Sequence, residues 1–163
     1  MEPVRMTARR LHDEHVAVLG LLDRFGQVLG RLAAPPAPDD SGWNMLLPQL
    51  LAAIEHEISA HFALEEDKLF PILRAHGSGD LADLLTEEHV PIRAVSAPLL
   101  ALLKEARRGP LDAGCWATLR HLGGELVERL SAHAQMEQGA LVPLVDELLD
   151  SETDQQIWNS YAT

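Results

Sequence analysis

The stretch His61-Phe-Ala-Leu-Glu65-Glu-Asp-Lys-Leu-Phe-Pro71 lies at the centre of a long helical pattern. Apolar residues recur on both sides of it at the three- and four-residue spacing of one helix face. These apolar positions are Ile54, Ile58, Leu69 and Ile72. Because residues four apart stack on the same side of a helix, His61 and Glu65 are predicted to point together into the core.

The same pattern returns in the second half of the chain at a constant offset, and even its proline is repeated, as Pro143 for Pro71. The copied helix positions are Leu126, Leu130, His133, Glu137, Leu141 and Leu144. Another pair of helices is repeated at a similar offset, which aligns His15 with His89. A duplicated hairpin of two long amphipathic helices predicts an all-α fold, an antiparallel up-down four-helix bundle.

The chain is predicted to form a single domain over residues 1–163, a length that supports one hydrophobic core. The helices are expected at about residues 8–32, 43–76, 80–108 and 112–149, so that the bundle covers about residues 8–149. Residues 1–8 are expected to form a short arm. Residues 150–163 are expected to form a short tail, for which folding back on the bundle is one option.

Composition excludes several classes of function. The formal net charge of −12 argues against nucleic acid and anionic membranes as partners. Cys115 is the single cysteine, so neither an intrachain disulfide nor a thiolate metal cluster is expected. No apolar run is long enough to span a bilayer, and the N-terminus lacks the apolar stretch of a signal peptide. A cytoplasmic location is therefore expected.

Six polar side chains fall on the inward faces of the predicted helices: His15, His61, Glu65, His89, His133 and Glu137. A buried carboxylate without a partner is costly, and no Lys or Arg occupies an obvious inward position beside the two glutamates. A bound cation would neutralise both carboxylates and be coordinated by the imidazoles. These ligand types suit iron, zinc or manganese better than calcium or magnesium. The repeat favours two metal ions, with a mononuclear site or a histidine-rich core as alternatives.

At these residues the sequence resembles the hemerythrin / HHE cation-binding family. The resemblance spans roughly residues 8–149 and is carried by the twin His-x-x-x-Glu motifs, each followed by an apolar residue and proline, Phe70-Pro71 and Val142-Pro143. It implies a four-helix bundle that holds a non-haem di-iron centre, with two iron ions joined by an oxo or hydroxo bridge. It also implies that the six side chains named above are the iron ligands. Manganese and zinc are the alternative metals.

Two departures from the oxygen-carrying hemerythrins are visible. Those proteins have His-x-x-x-His on the third helix, where this chain has Arg93 four residues after His89. They have His-x-x-x-x-Asp on the fourth helix, where this chain has Gln138, preceded by Glu137. The chain therefore resembles the bacterial hemerythrin-like branch. The Glu-x-x-His motif of ferritin-like di-iron proteins does not occur in the sequence.

These features favour a di-iron protein that binds or reacts with oxygen, peroxide or nitric oxide. Whether it is an enzyme is left open, with peroxidase-like or nitric-oxide-related redox activity as the candidates. The alternative is an iron-handling or redox- or oxygen-sensing protein without turnover. A metal-free helical interaction module is a third hypothesis. No protein partner can be named.

A few polar residues have two interpretations. Glu57 is four residues before His61 and is either an additional metal ligand or a solvated glutamate; its counterpart in the repeat is Arg129. His12 is interpreted as a surface residue, with a place near the site as the alternative. The pairs Glu66-Asp67 and Glu87-Glu88 are interpreted as solvated faces, with the alternative that either pair holds a ligating histidine. The remaining histidines are assigned to the surface or flanks: His56, His76 and His121.

Overall fold

The computed structural model describes residues 2–162, and these form five helices in chain order. Helix α1 is Met6–Arg31 and α3 is Gly79–Arg108. Helix α2 covers residues 41–75 and is built from the α-helical segments Ser41–His56, Phe62–Leu64 and Phe70–Ala75 joined by two π-helical turns. Helix α4 covers residues 113–148, with one π-helical turn between Ala113–Met136 and Val142–Leu148. Helix α5 is Ser151–Ala162.

Local chemistry explains where the helices begin and end. Asp40 and Asp112 precede α2 and α4, and their carboxylates accept hydrogen bonds from the backbone N–H of Trp43 at 3.0 Å and Cys115 at 2.7 Å. Gly77 ends α2 in the left-handed region, at φ +86°, which glycine adopts without strain. Because Asp40 caps its first turn, helix α2 begins at Ser41, two residues before the predicted start.

Helices α1 to α4 form the predicted bundle. Each contacts the next along the chain, and α4 also contacts α1, so the four helices close into a square with alternating directions. No strand occurs in residues 2–162, and the all-α bundle is confirmed. Within the same residues no helix is long and apolar enough to cross a membrane.

The core consists of two apolar clusters separated by a polar layer. The larger cluster contains Phe25, Trp43 and Trp116 at the end of the bundle near the α1–α2 loop. The smaller cluster contains Phe70 and Leu85 at the opposite end. Each of the four helices passes from one cluster to the other through a buried histidine, which positions the polar layer in the middle of the bundle: His15, His61, His89 and His133.

Three π-helical turns change the register of the inward faces. They are Glu57–His61 and Glu65–Leu69 in α2 and Glu137–Leu141 in α4. Because π-helical turns contain more residues than α-helical turns, positions spaced by four stay on one face in α2. The buried row there is Glu57, His61, Glu65, Leu69 and Leu73. Ile58 and Ile72, which were predicted on this row, are only partly buried, so that part of the prediction is wrong.

The N-terminal segment and the tail are held together. Asp154 of α5 is buried and accepts hydrogen bonds from the backbone N–H groups of Met6 and Thr7, both at 2.9 Å. This carboxylate satisfies the unpaired donors at the start of α1, a position where an anion also interacts favourably with the helix dipole. The backbone N–H of Arg5 donates to Asp146 at 2.7 Å. The predicted arm is therefore short and anchored, and the tail is a helix packed against α1.

Candidate metal centre

The polar layer brings together all the candidate ligands. The six side chains predicted on the inward faces are at most 1% exposed, and Glu57 is 2% exposed. They form two groups that share Glu137. One group consists of His15, Glu57, His61 and Glu137, and the other of Glu65, His89, His133 and Glu137. Within each group one ligand atom from each side chain lies within 4.8 Å of every other, a spacing at which one cation could contact them all.

The two groups are related by the repeat in the sequence. The rings of His15 and His61 have their centroids 5.0 Å apart, and those of His89 and His133 are 4.9 Å apart. Glu137 Oε1 lies 3.1 Å from His15 Nε2 and 3.3 Å from His133 Nε2, so this carboxylate reaches both histidine pairs. Glu65 similarly lies between the pairs.

Glu65 Oε1 is 3.1 Å from His89 Nε2, and its Oε2 is 3.3 Å from His61 Nε2. Glu65 and Glu137 thus each lie between the two histidine pairs, and the remaining donors divide between the two sides.

Every histidine in the layer is held from outside through its Nδ1 atom. His61 Nδ1 donates to Glu14 Oε1 at 3.2 Å, and His133 Nδ1 donates to Glu88 Oε1 at 2.7 Å. His15 Nδ1 donates to Gln138 at 2.7 Å, and His89 Nδ1 donates to Glu66 at 2.5 Å. We call these four acceptors the outer partners of the histidines: Glu14, Glu88, Gln138 and Glu66. When the rings are neutral, as metal coordination requires, these hydrogen bonds set one tautomer for all four rings, with the proton on Nδ1 and a lone pair on Nε2.

In this tautomer, and with the carboxyl groups ionised as they would be around a cation, the inward-facing Nε2 atoms and carboxylate oxygens are acceptors that face one another. Seven buried side-chain atoms of this layer lack a hydrogen-bond partner: Glu57 Oε1, His61 Nε2, Glu65 Oε1, Glu65 Oε2, His89 Nε2, His133 Nε2 and Glu137 Oε2. Buried polar atoms are rarely left unpaired, and cations between these atoms would satisfy them. The residues present therefore fit metal ions.

The pKa values of the carboxyl groups reflect the same crowding. Burial, followed by the charge of Glu137, raises the pKa of Glu65 well above its ordinary range. Burial also raises the pKa of Glu57. Burial acts in the same direction on Glu137, but the neighbouring Glu65 carboxyl and the surrounding imidazoles hold its pKa well below the ordinary range. Without a cation the layer retains protons that metal ions would displace.

The four outer partners occupy equivalent positions in the two halves of the repeat. This equivalence is the sequence signal that could have identified them. Glu14 and Glu88 occupy equivalent positions of the two copies, and each directly precedes a buried histidine of its own helix. Glu66 and Gln138 are likewise equivalent, and each directly follows a buried glutamate. Each of the four residues contacts the histidine of a neighbouring helix, which periodicity within one helix cannot reveal.

Several sequence interpretations change as a result. Glu66 and Glu88 are partly exposed, but each accepts a hydrogen bond from a buried histidine, so for these two residues the solvated-face interpretation is wrong and the alternative is correct. Asp67 and Glu87 are exposed, as predicted. His12 is partly buried and its Nδ1 accepts a hydrogen bond from Gln138 Nε2 at 2.6 Å, which connects it to the outer partner of His15. His56 contacts Glu14, the outer partner of His61.

The two sides of the layer differ at one pair of equivalent positions. Glu57 begins a π-helical turn, and its side chain is 3% exposed. Arg129, its counterpart, lies in regular α-helix; its side chain is 46% exposed and is paired with Glu125 at 3.0 Å. The His15–His61 side therefore has a third carboxylate that the His89–His133 side lacks.

A layer of buried imidazoles and carboxylates across a four-helix bundle defines a cation-binding helical protein. The family model described as hemerythrin HHE cation binding domain matches residues 6–145. The chain belongs to this family, and the resemblance predicted from the twin motifs is confirmed. A search of curated proteins found no match. The family and the buried histidine and glutamate clusters together identify a metal-binding site.

Proposed function

We propose that this protein holds a dinuclear non-haem iron centre and binds or reacts with a small ligand such as oxygen, peroxide or nitric oxide. The observation that carries the proposal is the presence of two buried donor groups that share Glu137, in which seven inward atoms have no hydrogen-bond partner. Two cations between them would neutralise the carboxylates and accept the imidazole lone pairs.

Each residue has a defined part in this proposal. His15, His61 and Glu57 would hold one ion, and His89 and His133 would hold the other. Glu65 and Glu137, which lie between the two histidine pairs, would contribute to both ions. When bound, the iron ions supply Lewis acidity and electrons for redox chemistry. The protein orients the imidazoles through their outer partners and keeps bulk water away with the apolar clusters on either side.

Iron is favoured over zinc and manganese because the chain belongs to the hemerythrin family, and an oxo or hydroxo bridge would complete the pair. The alternative is an iron-handling protein, or a redox or oxygen sensor, in which the same site changes occupancy or oxidation state without turnover. A cytoplasmic location and the absence of nucleic-acid or membrane partners remain predictions from composition.

The test is metal analysis of protein expressed with iron, combined with its optical spectrum. We expect two iron ions per chain and charge-transfer absorption from a bridged ferric pair. Glu137→Ala should remove both ions, since Glu137 belongs to both donor groups. His61→Ala should mainly remove one. His121→Ala is the matched control, since His121 is exposed and lies outside the layer.

Unchanged iron content in both variants would overturn the ligand assignment. Colourless protein that stays iron-free after reconstitution would overturn the metal centre itself. Peroxide consumption by the iron-loaded protein would favour an enzyme, whereas tight iron binding without turnover would favour the sensing or iron-handling alternative.

A further inference from the structure

The outer surfaces over the two histidine pairs are not equivalent. On the α1–α2 face, helix α5 delivers Tyr161, whose hydroxyl lies 2.6 Å from Glu14 Oε1. Tyr161 also lines a shallow pocket with Ala60 and Leu64, and its ring stacks on His56 with 5.8 Å between centroids. This face, which lies over His61, is therefore partly covered by the tail, and Leu64 beneath it is buried.

The equivalent face between α3 and α4 is an open groove of about 930 Å³. The repeat matches the residues around Tyr161 to residues that line this groove: Glu88 for Glu14, Glu128 for His56, Ala132 for Ala60 and Met136 for Leu64. The two equivalent residues Leu64 and Met136 differ in solvent exposure accordingly: Leu64 is 7% exposed and Met136 is 40% exposed. His133 forms part of the groove wall.

The metal-ligand candidates also differ between the two sides of the layer. His61 Nε2 lies within 3.7 Å of three carboxylates, and Glu57 is the one of them that belongs to the His15–His61 side alone. On the His89–His133 side, Arg129 turns outward and itself lines the open groove. With Glu65 and Glu137 shared between the two sides as proposed, the His89–His133 side has fewer protein donors and also the more accessible surface. The two differences come from different parts of the chain, a substitution in the repeat and the addition of α5.

We infer that small exogenous ligands bind on the His89–His133 side of the centre and reach it through the α3–α4 groove beside Glu88. The inference rests on the proposed metal centre. The ligand class is a molecule of two or three atoms with a donor lone pair, because His133 lines the groove but is only 1% exposed, which leaves little space beside its ring. Glu57 makes the opposite side a closed, structural half.

The first test uses cobalt(II)-loaded protein and azide as the probe. Hydrogen bonds to the outer partners should protect the four ring N–H protons from exchange, so they should appear as separate paramagnetically shifted NMR resonances. Glu14→Gln and Glu88→Gln assign the signals of His61 and His133. Azide should move the His89 and His133 resonances far more than those of His15 and His61.

The second test measures the rate of azide association by stopped-flow absorbance. Ala132→Trp places a large ring in the groove and should slow association by about tenfold, since access then requires side-chain displacement. Ala60→Trp is the matched control at the equivalent position of the covered face, and its rate should equal that of the wild type.

The outcomes separate the inference from the proposed function. Protein that takes up no cobalt or iron would overturn both. Protein that takes up two ions but binds no azide, or whose His15 and His61 signals move instead, would overturn only the inference. Equal slowing by Ala132→Trp and Ala60→Trp would overturn the groove as the route.

Discussion

The Tyr161 hydroxyl donates a hydrogen bond to Glu14, the same carboxylate that accepts a hydrogen bond from Nδ1 of the buried His61. His56 Nε2 also lies 2.5 Å from Glu14, and Arg10 lies 3.7 Å from it. Burial acts to raise the pKa of Glu14, but hydrogen bonds from His61 and Tyr161 lower it to about 2. Helix α5 therefore supports the buried His61 through a single carboxylate.

Tyr161→Phe tests this connection. It removes the hydroxyl and keeps the ring, so Glu14 loses one donor and His61 becomes less firmly oriented. Loss of an outer partner typically weakens metal binding by about 10–100-fold, and we expect about tenfold here for one of the two ions. Competition with a coloured chelator would measure both affinities.

The matched comparison is Glu88→Gln, which changes the equivalent carboxylate over His133 and should weaken the other ion. Trp158→Phe controls for changes in α5 that spare the hydroxyl. Equal weakening of both ions by Tyr161→Phe would show that the tail contributes only general stability.

Glu57→Gln tests whether the third carboxylate of the His15–His61 side is a ligand. An amide of the same shape keeps the packing but removes the charge, so the affinity of one ion should fall by at least about tenfold. Arg129→Gln at the equivalent position should leave both affinities unchanged, because Arg129 faces outward. Calorimetric titration with cobalt(II) would resolve the two ions. Similar affinities in wild type and Glu57→Gln would reduce Glu57 to a buried glutamate.

Glu65→Gln should have opposite effects with and without metal. In the metal-free protein the raised pKa of Glu65 means that folding retains a proton that the unfolded chain releases above its ordinary pKa of 4.5. The glutamate therefore destabilises the metal-free protein at neutral pH and not at pH values below 4.5. The amide should increase the free energy of unfolding at pH 7 by about 1–3 kcal/mol.

In the metal-loaded protein the same substitution should lower stability, because Glu65 contacts both ions in the proposed centre. Urea denaturation with and without a chelator would compare the two states. Glu128→Gln, an exposed carboxylate changed to the same amide, is the control and should have little effect in either state. A change of the same sign in both states would contradict the bridging position.

Gly123→Ala tests the close contact between α1 and α4. A Cβ atom at this position would lie 2.8 Å from both Leu29 Cδ1 and Phe25 Cζ, which is too close without movement of the larger cluster. Overpacking of this kind should cost about 1–3 kcal/mol in the free energy of unfolding. Gly124→Ala meets no atom within 4 Å and should stabilise α4 by up to about 1 kcal/mol. The midpoints of urea denaturation would show the difference.

The repeat in the sequence predicted the bundle and its ligand candidates because both depend on periodicity within a helix. His15 and His89, or His61 and His133, could be placed on inward faces from spacing alone. The boundaries were less well predicted. Helix α1 begins two residues earlier than expected because its first donors are satisfied by Asp154, which is far away in the chain.

The outer partners could not be assigned in the same way. Glu66 and Glu88 lie at the borders of the inward faces of their helices. At such positions the sequence spacing is the same for a solvated side chain and for one that binds a histidine. Which histidine each of them reaches depends on which helices are neighbours and on their relative heights in the bundle. These are properties of packing between helices.

The amino-acid pattern alone was sufficient for the helical class, the duplicated hairpin and six inward polar groups, since each follows from the helical period of about 3.6 residues and from the cost of burying charge. The inward turn of Glu57, the outward turn of Arg129 and the docking of Tyr161 on Glu14 required the folded molecule. The first two differ because α2 contains a π-helical turn that α4 lacks at the equivalent position, and the third joins segments from opposite ends of the chain. Hydrogen bonding that widens a helical turn, and contacts between distant segments, leave no trace in local periodicity.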